Sequence, residues 1–149
     1  MKDIEIEIIT PLISPALSPN KYMKQLMLKD LEKCYDSELK DLVIHLDRAF
    51  ERTSTCDALI STSAITGALR TQYREYENII VTGIITVPKN YIRIATKKAG
   101  VSLTNYEYII PGTKIQTTLT FTQNVKLPLI LRLGAKKNKG YGIVKLSQI

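Results

Sequence analysis

The chain has 149 residues, 44% hydrophobic and 23% charged, with a net charge of +7. That is enough for one domain with its own core and too short for two. The charge is uneven: residues 1–57 hold eight Lys/Arg against eleven Asp/Glu, residues 58–149 hold thirteen against three, and no acid follows Glu107. A part so basic attracts polyanions. A membrane surface is the competing polyanion, and no long apolar run or basic amphipathic helix supports it.

Ile4, Ile6 and Ile8 alternate with Asp3, Glu5 and Glu7, the period of two that predicts a strand with one buried face. This pattern starts at the N-terminus without an apolar secretion segment, so a cytoplasmic protein is expected. Pro11, Pro15 and Pro19 break the chain into a loop. Tyr22 to Cys34 leans helical without strong caps, and Leu39 to Leu46 is a short apolar run with acids at Asp41 and Asp47. Cys34 and Cys56 form no close pair and His45 is the one histidine, too few ligands for zinc; both cysteines are expected as free thiols.

Ser61 or Thr62 caps a predicted helix to about Tyr76, with Ile65, Leu69 and Tyr73 along one face. Ile79 to Val87 and Tyr91 to Ala95 are β-branched and read as a hairpin around Pro88-Lys89-Asn90. Tyr106 to Ile110 leads through the turn Pro111-Gly112-Thr113 into an alternating strand, Lys114 to Thr122. Leu127 to Leu133 reads as a brief helix with Pro128 in its first turn. The order predicts an α+β sandwich of ferredoxin-like or RNA-recognition type (a modified βαββαβ) over residues 1–149, with an insertion at 14–57.

Between Leu133 and the final strand lies Gly134-Ala135-Lys136-Lys137-Asn138-Lys139-Gly140-Tyr141-Gly142. Glycines let a backbone approach a ligand closely, lysines supply cations for phosphate, and Tyr141 offers a ring for a base or an anchor for the strand. A solvated basic hairpin has the same composition.

Three segments resemble, in order, the RAMP superfamily of CRISPR-associated proteins. Ile9-Thr10-Pro11-Leu12-Ile13 is similar to the "TPLHIG" end of the first strand, without its His and Gly. Ile60-Ser61-Thr62-Ser63-Ala64-Ile65-Thr66-Gly67-Ala68-Leu69-Arg70 is similar to the "IPGSSLKGALR" that opens the first helix. Leu133 to Val144 is similar to "LGGKKSRGYGRV", and Tyr106 to Ile115 resembles the "ERVPAGTKF" of backbone subunits in type III effector complexes.

The resemblance implies a subunit that binds crRNA through its backbone, assembles with copies of itself and other effector subunits, and contacts target RNA. Expected RNA contacts are Ser61, Thr62, Ser63 and Arg70 from the helix, and Lys136, Lys137, Lys139, Gly140 and Tyr141 from the loop. Gly67 is expected to let another backbone pack close, and the helix start to face the glycine loop across one RNA strand. Ser/Thr as plain caps and Arg70 as a surface charge are the competing readings.

Backbone subunits that cut target RNA carry an aspartate in a loop, in a pattern like "D-x-P-I/V". Asp41-Leu42-Val43-Ile44 matches with Val43 in place of proline, and Asp30, Asp36 and Asp47 compete. A divalent metal such as magnesium is expected only if Asp41 is catalytic. His45 is the alternative catalyst, as the acid/base of a stand-alone CRISPR RNA endonuclease. Either side chain also reads as an ordinary surface or structural group. A generic RNA-recognition module is a third alternative, without that module's paired aromatics. The short chain leaves little room for the long inserted hairpin of full-size backbone subunits, so a reduced paralogue or terminal subunit is expected.

Overall fold

The computed structural model describes residues 1–135 and 139–149. Its elements are β1 (Lys2–Ile8), β2 (Leu12–Ile13), α1 (Lys21–Glu32), α2 (Lys40–Val43), β3 (Glu51–Arg52), β4 (Ala58–Ile60) and α3 (Thr62–Gln72). There follow β5 (Val81–Gly83), β6 (Ile85–Val87), β7 (Ile92–Ala99), β8 (Ser102–Ile109), β9 (Lys114–Phe121), β10 (Leu129–Arg132) and β11 (Ile143–Gln148).

The alternation in β1 does what its period demands. Ile4, Ile6 and Ile8 are buried, and β1 is the middle of an antiparallel five-stranded sheet ordered β10-β11-β1-β9-β5. Packed on that buried face, α3 contributes Ile65, Ala68 and Leu69 to a core shared with Val144 and Leu146 of β11. The predicted face of the helix is correct, but α3 stops at Gln72 and a 3-10 turn, Arg74–Tyr76, follows. Two small sheets, β2-β8-β7 and β3-β4-β6, flank this unit. The architecture is α+β with mostly antiparallel sheets.

Two predicted elements are different. No hairpin turns at Pro88: β6 pairs with β4 and β7 with β8, joined by a 3-10 turn at Lys89–Tyr91. The β-branched run is split at Gly83, where a Cβ would lie 2.8 Å from the Leu119 side chain. Ahead of the split the chain joins the main sheet, and after it the chain crosses to another. The segment read as a brief helix at Leu127–Leu133 holds β10 instead. Leu129 and Leu131 point inward opposite Leu146 and Val144, and Ile130 and Arg132 point out. Pairing with β11 satisfies this backbone and buries two leucines, which one isolated turn of helix cannot match.

The chain also has room for a long hairpin, contrary to expectation. Strands β7 and β8 pair over all eight residues of each, turning at Gly100-Val101.

Within residues 14–57, α1 is capped by Asn20, whose side chain accepts from the N–H groups of Tyr22 and Met23 at 3.0 and 3.1 Å. Leu28 and Leu31 of α1 pack with Leu17, Val43, Leu46 and Ala49 in a second apolar cluster, which Ile94 of β7 touches. A fully buried carboxylate, Glu107 on β8, ties this cluster to the rest. Its Oε1 accepts from the Phe50 N–H at 2.8 Å, and its Oε2 accepts from both the Arg52 guanidinium and the Tyr35 hydroxyl. Arg52 also donates to the Cys56 carbonyl at 2.9 Å. Burial, followed by the adjacent Glu107 charge, pushes the Tyr35 hydroxyl well above the usual phenol range.

The cysteines are not free thiols. Cys34, just past α1, and Cys56, in the turn before β4, have Cα atoms 5.5 Å apart and form a disulfide across 22 residues. Nothing in the spacing marks the pair, because α1 must fold back onto the β3–β4 turn before the sulfurs meet. Closing a loop of that length stabilises by about 3 kcal/mol. We expect Cys34→Ser to lower the free energy of unfolding by roughly that amount in denaturant titrations, and reductant to do the same to wild type but nothing to the variant. An unchanged midpoint in both tests would show the bridge contributes no stability.

Candidate nucleic-acid interface

Ser61 begins α3 as its N-cap, and its hydroxyl accepts from the Ser63 N–H at 3.2 Å. The remaining N–H groups of the first turn face outward with the positive end of the helix dipole. Ser61 and Thr62 line a groove of about 470 Å³ whose far wall is Leu133-Gly134, the start of the glycine loop. Helix start and loop are therefore neighbours, as expected. The groove floor is apolar, with Ile13, Phe50, Ile60 and Ile85, and Glu51 is its one charged lining residue among the described residues.

The loop's glycines have two distinct jobs. Gly142, at φ +75°, accepts from the Leu133 N–H at 2.8 Å and donates to the Pro11 carbonyl at 2.9 Å. A Cβ there would sit 1.8 Å from the Leu133 carbonyl oxygen. Gly134 is similarly crowded, 2.6 Å from the Ile13 carbonyl. These two glycines close the base of the loop against β2. Thr10 completes the closure, its hydroxyl accepting from the Ile143 N–H at 2.8 Å. Gly140 differs: among the described residues nothing lies within 4 Å of its Cβ position, and Lys139 beside it is exposed. Lys136 and Lys137 lie outside the described residues.

Other candidates fall elsewhere. Arg70 sits at the far end of α3, about 12 Å along the axis from Thr62. Its Nε donates to the Ile79 carbonyl at 2.7 Å, and it does not line the groove. Gly67 admits no close backbone, since its Cβ position is open. Asp41 is exposed in the first turn of α2 rather than in a loop, and His45 is exposed just beyond that helix. Neither lines the groove. Of the competing acids, Asp30 pairs with Lys33 on the surface, and Asp47 accepts from the Asn105 N–H at 2.9 Å. Among the described residues no three His, Cys, Asp or Glu side chains gather as metal ligands.

The open face of the main sheet is unsuited to stacking. It carries Asp3, Glu5 and Glu7, with Glu7 opposite Lys114 and Lys145 and Asp3 accepting from the Thr118 hydroxyl at 2.8 Å. Aromatics do alternate on a strand, but on β8: Tyr106 and Tyr108 share one face with ring centroids 6.2 Å apart. The sequence signal was present as Tyr-x-Tyr. It is easily missed when paired aromatics are sought among phenylalanines and in the main sheet.

No family model and no curated protein matches this chain. No described helix is long and apolar enough to cross a membrane.

Separate jobs for the glycines have a measurable consequence. Gly140→Ala should cost only the left-handed strain, about 1–2 kcal/mol. Gly142→Ala adds a collision with the Leu133 carbonyl and should cost considerably more, seen as a larger fall in thermal midpoint. Equal losses would mean the loop base is not closed as described.

Proposed function

We propose that this chain is a backbone-type RAMP subunit of a type III CRISPR effector complex, binding crRNA through its sugar-phosphate backbone. The observation that carries the reading is the groove in which the start of α3 meets the glycine loop. Phosphate oxygens meet the first-turn N–H groups of α3 that Ser61 leaves uncapped, and the loop's Lys136, Lys137 and Lys139 supply cations while Gly140 allows close backbone approach. A base turned inward is covered by the apolar floor.

Two features of the fold support it. Strands β11-β1-β9-β5, all antiparallel, have the order of a ferredoxin-like sheet, with α3 as its first helix and β10 in place of its second. The β7–β8 hairpin is inserted between the two strands such a sheet joins directly, and a long inserted hairpin is what the resemblance to full-size backbone subunits implies. Assembly with copies of itself and other effector subunits belongs to the same proposal. Cleavage of paired target RNA rests on Asp41 orienting the attacking 2′-hydroxyl, with His45 as the rival acid/base.

Replacing Lys136, Lys137 and Lys139 together with Ala should weaken binding of single-stranded RNA. It should also flatten the log–log salt dependence by up to about 0.7 for each phosphate that is no longer neutralised. An unchanged salt slope removes the loop from the interface.

For the chemistry, the readout is cutting of target RNA by the assembled complex. Asp41→Asn is expected to abolish it while guide and target binding persist. Normal cutting by that variant, together with loss in His45→Ala, would favour a processing endonuclease. No cutting by wild type would leave a structural RNA-binding subunit.

A further inference from the structure

We propose that Tyr106, Tyr108 and Tyr141 form a stacking platform for the bases of single-stranded RNA, on the face of the β7–β8 hairpin that the glycine loop overlooks. The proposal rests on the RNA-binding reading and adds a second contact, to bases rather than phosphates.

The geometry follows from strand register. Tyr106 and Tyr108 are two apart on β8, so both point to one face while Glu107 between them points to the other, into its buried contacts. Their rings are tilted 55° with centroids 6.2 Å apart, and both are half-buried, leaving ring surface open to solvent. Tyr108 lies opposite Ile13 of β2, and the loop base is fastened to that same strand region by Gly142 on Pro11 and Gly134 on Ile13. This sets the segment that carries Tyr141 beside the strand region that carries Tyr108. Burial, with the neighbouring phenols of Tyr141 and Tyr108, raises the Tyr106 hydroxyl above its usual range. The Tyr106–Tyr108 pair is thus the body of the platform, and Tyr141 joins it from the loop.

Charge selects the occupant. Arg93 is opposite Tyr108 and Lys97 opposite Thr104, so both cations stand on the tyrosine face. Strands β7 and β8 hold one acid, Glu107, and it faces the other way against Arg52. Aromatic rings flanked by cations, with no opposing acid on these strands, suit a flexible polyanion that has π-faces. Tyrosine ladders that serve only sheet packing need no such charges.

The test uses the full chain with two probes, an oligouridylate of about 12 nucleotides and an abasic ribose-phosphate oligomer of equal length. Wild type should bind the oligouridylate at least about a hundredfold tighter, and Tyr106→Val with Tyr108→Val should cut that preference by about tenfold per ring. Binding of the abasic probe and the salt slope should stay as in wild type. Phenylalanine at both positions should keep the preference, since the ring and not the hydroxyl stacks. The chain has no tryptophan, so its ultraviolet emission is tyrosine alone. In wild type the oligouridylate should quench it and the abasic probe should not, a readout needing no variant.

Equal binding of both probes by wild type, absent quenching, or an unchanged preference in the valine variant each overturns the platform. If the loop-lysine variant still loses affinity and salt slope in those cases, the phosphate-binding reading survives. Binding of neither probe overturns both.

Discussion

The buried carboxylate of Glu107 is the constraint around which the non-sheet half of this chain is arranged. A lone ionised carboxylate with no exposure is far too costly to keep, so it must be matched by donors on every side. Those donors come from three places in the sequence: Tyr35 after α1, the Phe50 backbone, and Arg52 on β3. Each is held only if residues 14–57 fold over the root of the hairpin. The Glu107 backbone is engaged as well, its carbonyl accepting from the Ser14 N–H and hydroxyl at 3.0 and 2.8 Å. A charge pair of this kind adds little net stability over a well-packed apolar equivalent. What it supplies is position, because in this docking all three donors reach the carboxylate at once.

Position matters for the interface. Clamping Glu107 to one side of β8 leaves the tyrosines on the other, and β2, paired to β8, carries the anchor points for the glycine loop. The cysteine bridge joins the same cluster at its outer edge, linking the end of α1 to the turn from which Arg52 receives a carbonyl. Hairpin, loop and inserted helices are thus mutually referenced, while the groove beside Ser61 is walled by β2, Phe50 and Glu51, the end of β4, the Gly83–Ile85 crossing and the start of the loop.

How far this was legible in the sequence depended on the range of the interactions. β1 and α3 were readable because their signals are local: a period of two with isoleucines, a Ser cap, and apolar residues four apart. The glycine loop was readable as a composition, but not its division of labour. That Gly142 and Gly134 serve closure while Gly140 faces open space depends on carbonyls of Leu133 and Ile13, and the latter is distant in sequence. The failures share one cause. Leu127 to Leu133 became a strand because β11 lies beside it, and the run ending at Val87 divides at Gly83 between partners distant in sequence, β9 before it and β4 after it. Asn20 is a different case, a plain local cap hidden by the proline-rich loop before it.

Charge placement completes the division between stability and binding. A net charge of +7 implies a polyanion somewhere but not which face receives it. Sheets of this antiparallel type offer an uncovered face as the obvious surface, yet here that face has Asp3, Glu5 and Glu7 down its middle strand. Carboxylates in that row repel phosphate and are themselves partly neutralised by Lys114 and Lys145, which therefore count less toward any nucleic-acid field. Among the described residues, cations without such an acid opposite them lie instead toward the hairpin, with Arg93 and Lys97 beside the tyrosines, and along the glycine loop with Lys139. On the proposed reading, the carboxylate row on the sheet disfavours an anionic strand there, and the hairpin face and the glycine loop are the surfaces left to receive it.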